Sequence, residues 1–236
     1  WSLKLPKPTQ RTLADFRVAV MLTAETAEVD EAVQQRLLAL ARWLRSQGTR
    51  VDMKARPVDP AESHRVFITL LRSATSVGVN DEAYATLLGQ RELLGDAQDY
   101  RAQMIRATTM SHRAWLQADR ERLRHRDQWV AFFQRFDLLL CPVGATTAFP
   151  HNQVGERWER MIPVNGKPQP STTQMFWAGY SGSVYLPSTV APIGLADDGL
   201  PVGVQIVGPH LRDLTCIRFA QLIERGFGGF QPPPGF

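Results

Sequence analysis

With 236 residues, 44% of them hydrophobic and 21% charged, the chain has the proportions of an ordinary soluble globular protein and the length for one large domain or two small ones. No run of about 18 apolar residues occurs, which excludes a membrane-spanning helix on length. The two cysteines, Cys141 and Cys216, form neither a disulfide framework nor a metal-ligand spacing, and the formal charge of +4 comes mostly from one arginine-rich stretch.

Residues 1–11, with Pro6 and Pro8, have the composition of a connector. The first residue is tryptophan with no initiator before it, which gives the expectation of a partial chain. Residues 17–22 then read as a short strand. Asp30 is placed to cap a helix whose apolar positions Val33, Leu37, Leu40, Ala41 and Leu44 share one face, with Gly48 just past its end. Residues 51–55 form a second strand. Strand, helix, strand over this distance is a βαβ unit and predicts an α/β sheet. Asp59-Pro60-Ala61-Glu62 combines a capping side chain, a proline at the first helical position and a glutamate three residues past the cap, so a helix runs from there to about residue 77. The stretch 78–95 is less regular.

Residues 100–135 follow as a long helical pattern, with Met104, Ala107, Ala114, Trp115, Ala118, Trp129, Phe132 and Phe133 facing inward. Its arginines outnumber its acids. A basic helix can bind phosphate backbones, but no nucleic-acid module accompanies it. The plainer reading is a solvated face with ion pairs such as Asp119 to Arg122, and no nucleic-acid partner is expected. Residues 136–140 read as a strand ending at Cys141. Residues 149–171, with four prolines and Asn165-Gly166, read as a long loop of the kind that is functional or mobile. Residues 179–183 look like a glycine-serine loop. Residues 188–193 form an apolar strand that looks buried on both faces. Asp197-Asp198-Gly199 supplies a turn, 202–207 a second strand with Gln205 as its one polar side chain, and Gly208-Pro209 its stop. Asp213 looks like the cap of a last helix with Leu214, Ile217, Ala220 and Ile223 inward, and Pro232-Pro233-Pro234 lies in the tail. The strands are few for this length. Strands buried on both faces need neighbours, so the chain alone should expose apolar surface and associate, a homodimer being one outcome.

The motifs along the last third carry more than secondary structure. Leu186-Pro187 leading into a strand, Gly199-Leu200-Pro201-Val202-Gly203 leading into another, and a closing helix resemble the C-terminal end of the amidase signature family, serine hydrolases that cleave carboxamides. Trp177-Ala178-Gly179 and Phe136-Asp137-Leu138-Leu139-Leu140-Cys141-Pro142 extend the likeness, which reaches back to residues 17–21. The resemblance implies an α/β fold with a mixed β-sheet core covered by helices, of which residues 1–236 form the C-terminal part of a single domain. On that reading 1–11 is the connector and 149–171 the substrate-entrance loop.

The family's catalytic groups, as the resemblance implies them, are a lysine, a serine on a cis peptide and a nucleophilic serine in a glycine- and serine-rich signature. That signature is not found here. Residues 179–183 lack adjacent serines, and Ser183 stands where a Gly-x-Ser-x-Gly elbow needs glycine. No catalytic residue is therefore assigned in this chain, and the expected partners are an N-terminal amidase half, in the same protein or a companion chain, and a small-molecule amide. The candidates for substrate contact are Cys141 beside Pro142 at a strand end, Gln174 and Trp177. Trp177 can equally be a core aromatic, and Gln174 can equally satisfy backbone groups. His64, His112, His125, His151 and His210 are scattered without metal-site spacing, so no metal and no cofactor is expected. His112 with Cys141 as a thiol pair lacks the expected surroundings and is rejected. Both cysteines sit in apolar runs as buried thiols, which suits a reducing cytoplasm. The other readings are a non-catalytic binding module or relative, and an arginine-rich nucleic-acid binder.

Overall fold

The computed structural model describes residues 1–232 and Gly235. Part of the proline tail, Pro233 and Pro234, lies outside the described residues.

A five-stranded mixed sheet forms the centre. Its strands are β1 (Arg17–Val20), β2 (Arg50–Asp52), β3 (Leu138–Pro142), β6 (Ser188–Leu195) and β7 (Pro201–Val207), in the order β2-β1-β3-β7-β6. A two-stranded hairpin, β4 (Met161–Val164) with β5 (Lys167–Pro170), stands apart from it. β1 runs parallel to both β2 and β3, whereas β7 is antiparallel to β3 and to β6. The parallel pair β1 and β2 is joined by α1 (Glu31–Ser46), which is the crossover a parallel connection requires. Asp30 caps that helix by accepting from the Ala32 N–H, and Gly48 follows it with φ of 85°. The buried positions of α1 are the predicted set, Val33, Leu37, Leu40, Ala41 and Leu44.

Alternation along the strands divides the core. Leu140, Ile206 and Thr189 are cross-strand neighbours on one face, and Cys141, Gln205 and Val190 on the other. α1 and the last helix, α7 (Asp213–Gly226), pack on the sheet, and Phe219 of α7 meets Phe16 edge-on at 4.8 Å. The helices α2 (Pro60–Thr75), α4 (Tyr100–Thr108), α5 (His112–Arg135) and α6 (Met175–Gly182) form a second group centred on α2. Trp129 of α5 and Tyr180 of α6 stack edge to face at 5.3 Å within the same core, and the Tyr180 hydroxyl donates to the Val58 carbonyl at 2.9 Å.

Five local expectations change. The 78–95 stretch contains a regular helix, α3 (Asp81–Glu92), capped by Asn80; it buries no residue, so its sequence lacks the apolar stripe that marks a helix. The long helical pattern is two helices, broken at Thr109 to Ser111, where Ser111 caps α5 by accepting from the Ala114 N–H. Its buried face also includes Arg122 and His125 at helical spacing with Trp129. Residues 179–182 belong to helix α6, and Ser183 follows at its C-terminal cap, so the segment is not a loop. Gly179 is there for packing, because a Cβ on it would collide with the Phe67 ring. The strand 188–193 is buried on one face only. Among the described residues β6 pairs with β7 alone and forms one edge of the sheet, and Val190 and Leu195 are each 55% exposed.

The fifth change concerns Asp213. It occupies the first helical position of α7, Arg212 stands at the cap, and no side-chain cap bond forms. The buried stripe is correspondingly Thr215, Cys216, Phe219 and Ile223, with Ile217 exposed. Asp213→Ala should therefore cost less than about 0.5 kcal/mol, the scale of a carboxylate near a helix start without a bond. Thermal melting checks this; a loss of ~1 kcal/mol or more would reinstate a capping role.

Candidate functional site

Three chain segments meet at the carboxyl end of β3. The chain leaves Pro142 into Val143, Gly144 and Ala145, passes the start of α1, and faces the short 3-10 turn Ser171–Gln174 that leads into α6. The Ala145 carbonyl accepts from the Asp30 N–H at 2.6 Å, which ties the α1 start to the β3 end. On the other side the Ala145 N–H donates to Gln174 Oε1 at 2.7 Å. Gly144 suits this junction because a Cβ there would stand 3.0 Å from the same Gln174 oxygen.

The predicted entrance loop is anchored here as well. Residues 149–171 contain the β4–β5 hairpin, turned at Asn165-Gly166 with φ of 51° and 73°, the pair of positive values a tight two-residue hairpin needs. Asn165 Oδ1 accepts from the Glu31 N–H at 2.8 Å, its own N–H donates to Asp30 Oδ2 at 3.0 Å, and its side-chain amide donates to Glu28 Oε1 at 2.7 Å. Prolines at 163, 168 and 170 hid these strands from a sequence reading, and Asn-Gly was the signal that marked them.

These segments and the sheet edge enclose a cavity of about 550 Å³, within the range of small-molecule sites. Val33, Val143, Phe149, Val190 and Pro192 give it an apolar wall, and Gln174 and Thr146 supply polar groups. With its oxygen engaged by Ala145, Gln174 has its amide N–H groups left without a protein acceptor among the described residues. The β6 side of the wall is shaped by a bulge between Pro192 and Leu195. Gly194 takes φ of 108° there, and Arg36 of α1 donates to the Ile193 carbonyl.

Of the three candidate residues, Gln174 lines the cavity, whereas Cys141 and Trp177 do not and are fully buried in the core. Gln205 joins the two: its Nε2 donates to the Trp177 carbonyl at 3.1 Å and lies 3.3 Å from Cys141 Sγ. Sequence reading noted Gln205 as the one polar side chain of its strand but gave it no role, although a lone amide in an apolar strand is the signature of a buried hydrogen-bond bridge. Burial pushes the Cys141 thiol up to about 12, which keeps it protonated at neutral pH and unfit as a nucleophile. Cys216 is likewise raised by burial, to about 12.

Among the described residues no serine hydroxyl is hydrogen-bonded to a lysine, a histidine or another serine; Ser46 and Ser76 donate to backbone carbonyls and Ser111 caps α5. Among the same residues no group of three or more His, Cys, Asp or Glu could hold a metal ion, and no helix is long and apolar enough to cross a membrane. The Asp119–Arg122 pair foreseen on α5 is present at 2.8 Å, but Arg122 stands on the buried face of that helix, not on the solvated face expected for it.

The family model for Amidase matches residues 2–217. Indoleacetamide hydrolase of Bradyrhizobium japonicum is 26% identical over 233 residues, an alignment covering 97% of this chain and 46% of that protein. Among solved structures, one subunit of the glutamyl-tRNA(Gln) amidotransferase of Thermotoga maritima superposes with a TM-score of 0.68 at 18% identity, covering 99% of this chain and 49% of that one. A bacterial aryl acylamidase of the amidase signature enzymes gives 0.62 at 23% identity, over 90% of this chain and 44% of that one. At such identities the structural likeness is one of fold. The chain spans about half the length of the relatives it matches.

Proposed function

Because the chain belongs to the amidase signature family, we propose that it is the C-terminal portion of an amidase whose serine nucleophile lies in an N-terminal half, supplied by the same protein or by a companion chain. The observation that supports this most is the cavity at the β3 end: apolar, beside the free edge of β6, and furnished with one unengaged amide but no nucleophile and base. A wall of that kind positions an acyl group for chemistry carried out from the opposite side.

In such an enzyme the serine oxygen adds to the carboxamide carbon, the C–N bond breaks as the leaving ammonia or amine takes a proton, and water then cleaves the acyl ester to release the acid. No metal or cofactor is needed for these steps. Within this chain Gln174 would donate an N–H to the substrate's polar end, and the apolar wall from Val33 to Pro192 would hold its hydrocarbon part. Cys141 and Trp177 would serve substrate binding indirectly, by fixing through Gln205 the floor on which Gln174 and Gly144 rest. The substrate class is a small-molecule amide, the setting is a reducing cytoplasm, and nucleic acid and membrane have no part. In the Thermotoga maritima neighbour the region matching this chain is about half of one longer polypeptide, which favours a further half in the same protein. The exposed β6 edge, with Val190 and Leu195, is the surface through which the chain alone would associate, as a homodimer for instance.

The test is reconstitution. This chain, joined to or co-expressed with an N-terminal half bearing the Ser-Ser-Lys signature, should release ammonia from aryl and arylacetyl amides, and the chain alone should not. In the active assembly Gln174→Ala should raise KM by about tenfold, the cost of one lost hydrogen bond to substrate, with kcat changed far less. Amide hydrolysis by the isolated chain would overturn the reading, and an assembly that stays inactive would favour a non-catalytic relative.

A further inference from the structure

A second cavity, of about 230 Å³, lies between α2, α5 and the end of α6 and shares no lining residue with the first. Phe67, Leu70 and Leu71 of α2 and Trp115 of α5 make its walls apolar. Among the described residues one cation lines it. Arg122 is only 9% exposed, and its guanidinium is satisfied along one edge alone. Nε donates to Asp119 Oδ1 at 2.8 Å, the Tyr185 ring covers the guanidinium at 4.6 Å, and Nη1 is buried without a partner. Nη2 likewise makes no hydrogen bond to the described residues. Tyr185 reaches this position through a left-handed backbone, φ 61°, which a bulky residue adopts only under constraint.

A buried guanidinium with unmet donors calls for an acceptor. Asp119 decides its kind. The pair is already neutral, so an incoming anion would meet a carboxylate beside the cation and gain little, whereas an uncharged carbonyl oxygen gains its hydrogen bond without repulsion. We propose that this cavity docks a peptide segment, one main-chain carbonyl accepting from Arg122 and the adjoining apolar side chain filling the space between Phe67, Leu71 and Trp115. The place in the fold favours a peptide. Tyr185 stands three residues before the start of β6, whose outer edge is free, so a segment laid along that edge meets the cavity at the strand's beginning. The choice of a peptide rests on the amidase reading, in which a further half covers this flank; the ligand chemistry can be tested on this chain alone.

The experiment titrates N-acetyl-leucine N-methylamide into the isotope-labelled chain and follows the Ser183 and Tyr185 amides and the Arg122 Nε–H by NMR. Saturable shifts with a Kd on the order of millimolar are expected for so small a ligand. Arg122→Gln should weaken binding roughly tenfold, and the charged analogue N-acetyl-leucine should bind about threefold more weakly. Ala74 lines the cavity at an exposed position of α2, so Ala74→Phe should plug it with the fold intact, which keeps the test decisive if Arg122→Gln does not fold. Gln174→Ala should leave this binding unchanged. Absence of saturable shifts, tighter binding of the carboxylate, or full binding by Ala74→Phe would each overturn the proposal. None of those results bears on the amidase reading, which stands or falls on activity of the reconstituted enzyme.

Discussion

Trp177→Ala is expected to lower stability by roughly 3–5 kcal/mol, the range for removing a large aromatic from a packed core. The side chain has no exposed surface, meets Phe176 edge-on at 4.8 Å, and sits one residue along α6 from that ring in the same core. Its removal empties a volume that the surrounding elements cannot refill without moving, because Gln205 holds the Trp177 carbonyl from β7 and Tyr180 is fixed to Val58 from the same helix. Its indole Nε1 has no acceptor among the described residues, so part of the loss is offset by removing an unsatisfied donor. Trp177→Phe keeps most of the volume and drops that donor, and should cost well under half as much. Denaturant unfolding of the three proteins measures both; an alanine variant as stable as the parent would remove Trp177 from the core.

The second large effect is a loss of stability in mild acid through His64. This residue of α2 packs against Phe176 with ring centroids 5.9 Å apart, its Nδ1 has no partner, and burial pulls its pKa from 6.5 down to about 4. The folded value is the lower one, so the unfolded chain binds the proton first and protonation favours unfolding. The contribution is complete above pH 6.5, declines as pH falls through the window to about 4, and is gone below it. The gap corresponds to at most roughly 3 kcal/mol, reduced by the solvent that reaches a half-buried ring. Other groups are separable by window. Asp52 is held below its ordinary value by backbone N–H groups, first that of Lys54, and so loses its contribution only at lower pH than His64 does. Denaturant unfolding at stepped pH should show a slope between 6.5 and 4 that His64→Leu flattens. Equal slopes in the two proteins would mean that His64 is not the group being charged.

Much of the fold follows from local chemistry that a sequence displays. Asp30 and Asp59 cap α1 and α2 as their spacing requires, Gly48 takes the positive φ its place after a helix demands, and the α1 stripe from Val33 to Leu44 is the buried one. The βαβ unit and the last two strands follow from apolar runs bounded by turn residues. Misreadings cluster where a local signal is weak or shared by two structures. α3 has no buried face and so no periodicity to read. Residues 179–183 have the glycines and serines of a loop, but their helix is stabilised by close approach of α2, where Phe67 lies against Gly179. Asp213 has the composition of a cap one position too late.

The candidate site divides in the same way. Gln174 could be singled out in sequence, and the structure places it on the cavity; Cys141 and Trp177 are chain neighbours of that wall that the fold turns inward. Gln205 and Arg36 could not be assigned roles, because each acts through partners distant in sequence, Cys141 and Trp177 for the first and Ile193 for the second; for Arg122 the sequence showed the local pair with Asp119 but not the Tyr185 ring that covers it.

The amino-acid order by itself determined the family, the helix caps and the parallel βαβ unit, since all of these depend on residues close together along the chain. Tertiary structure alone decided which face of β6 is covered, which of the candidate residues reaches the cavity, and which buried cation keeps unmet donors. Those outcomes depend on which elements pack together, and a side chain's burial and hydrogen-bond partners are set by neighbours that sequence proximity does not name.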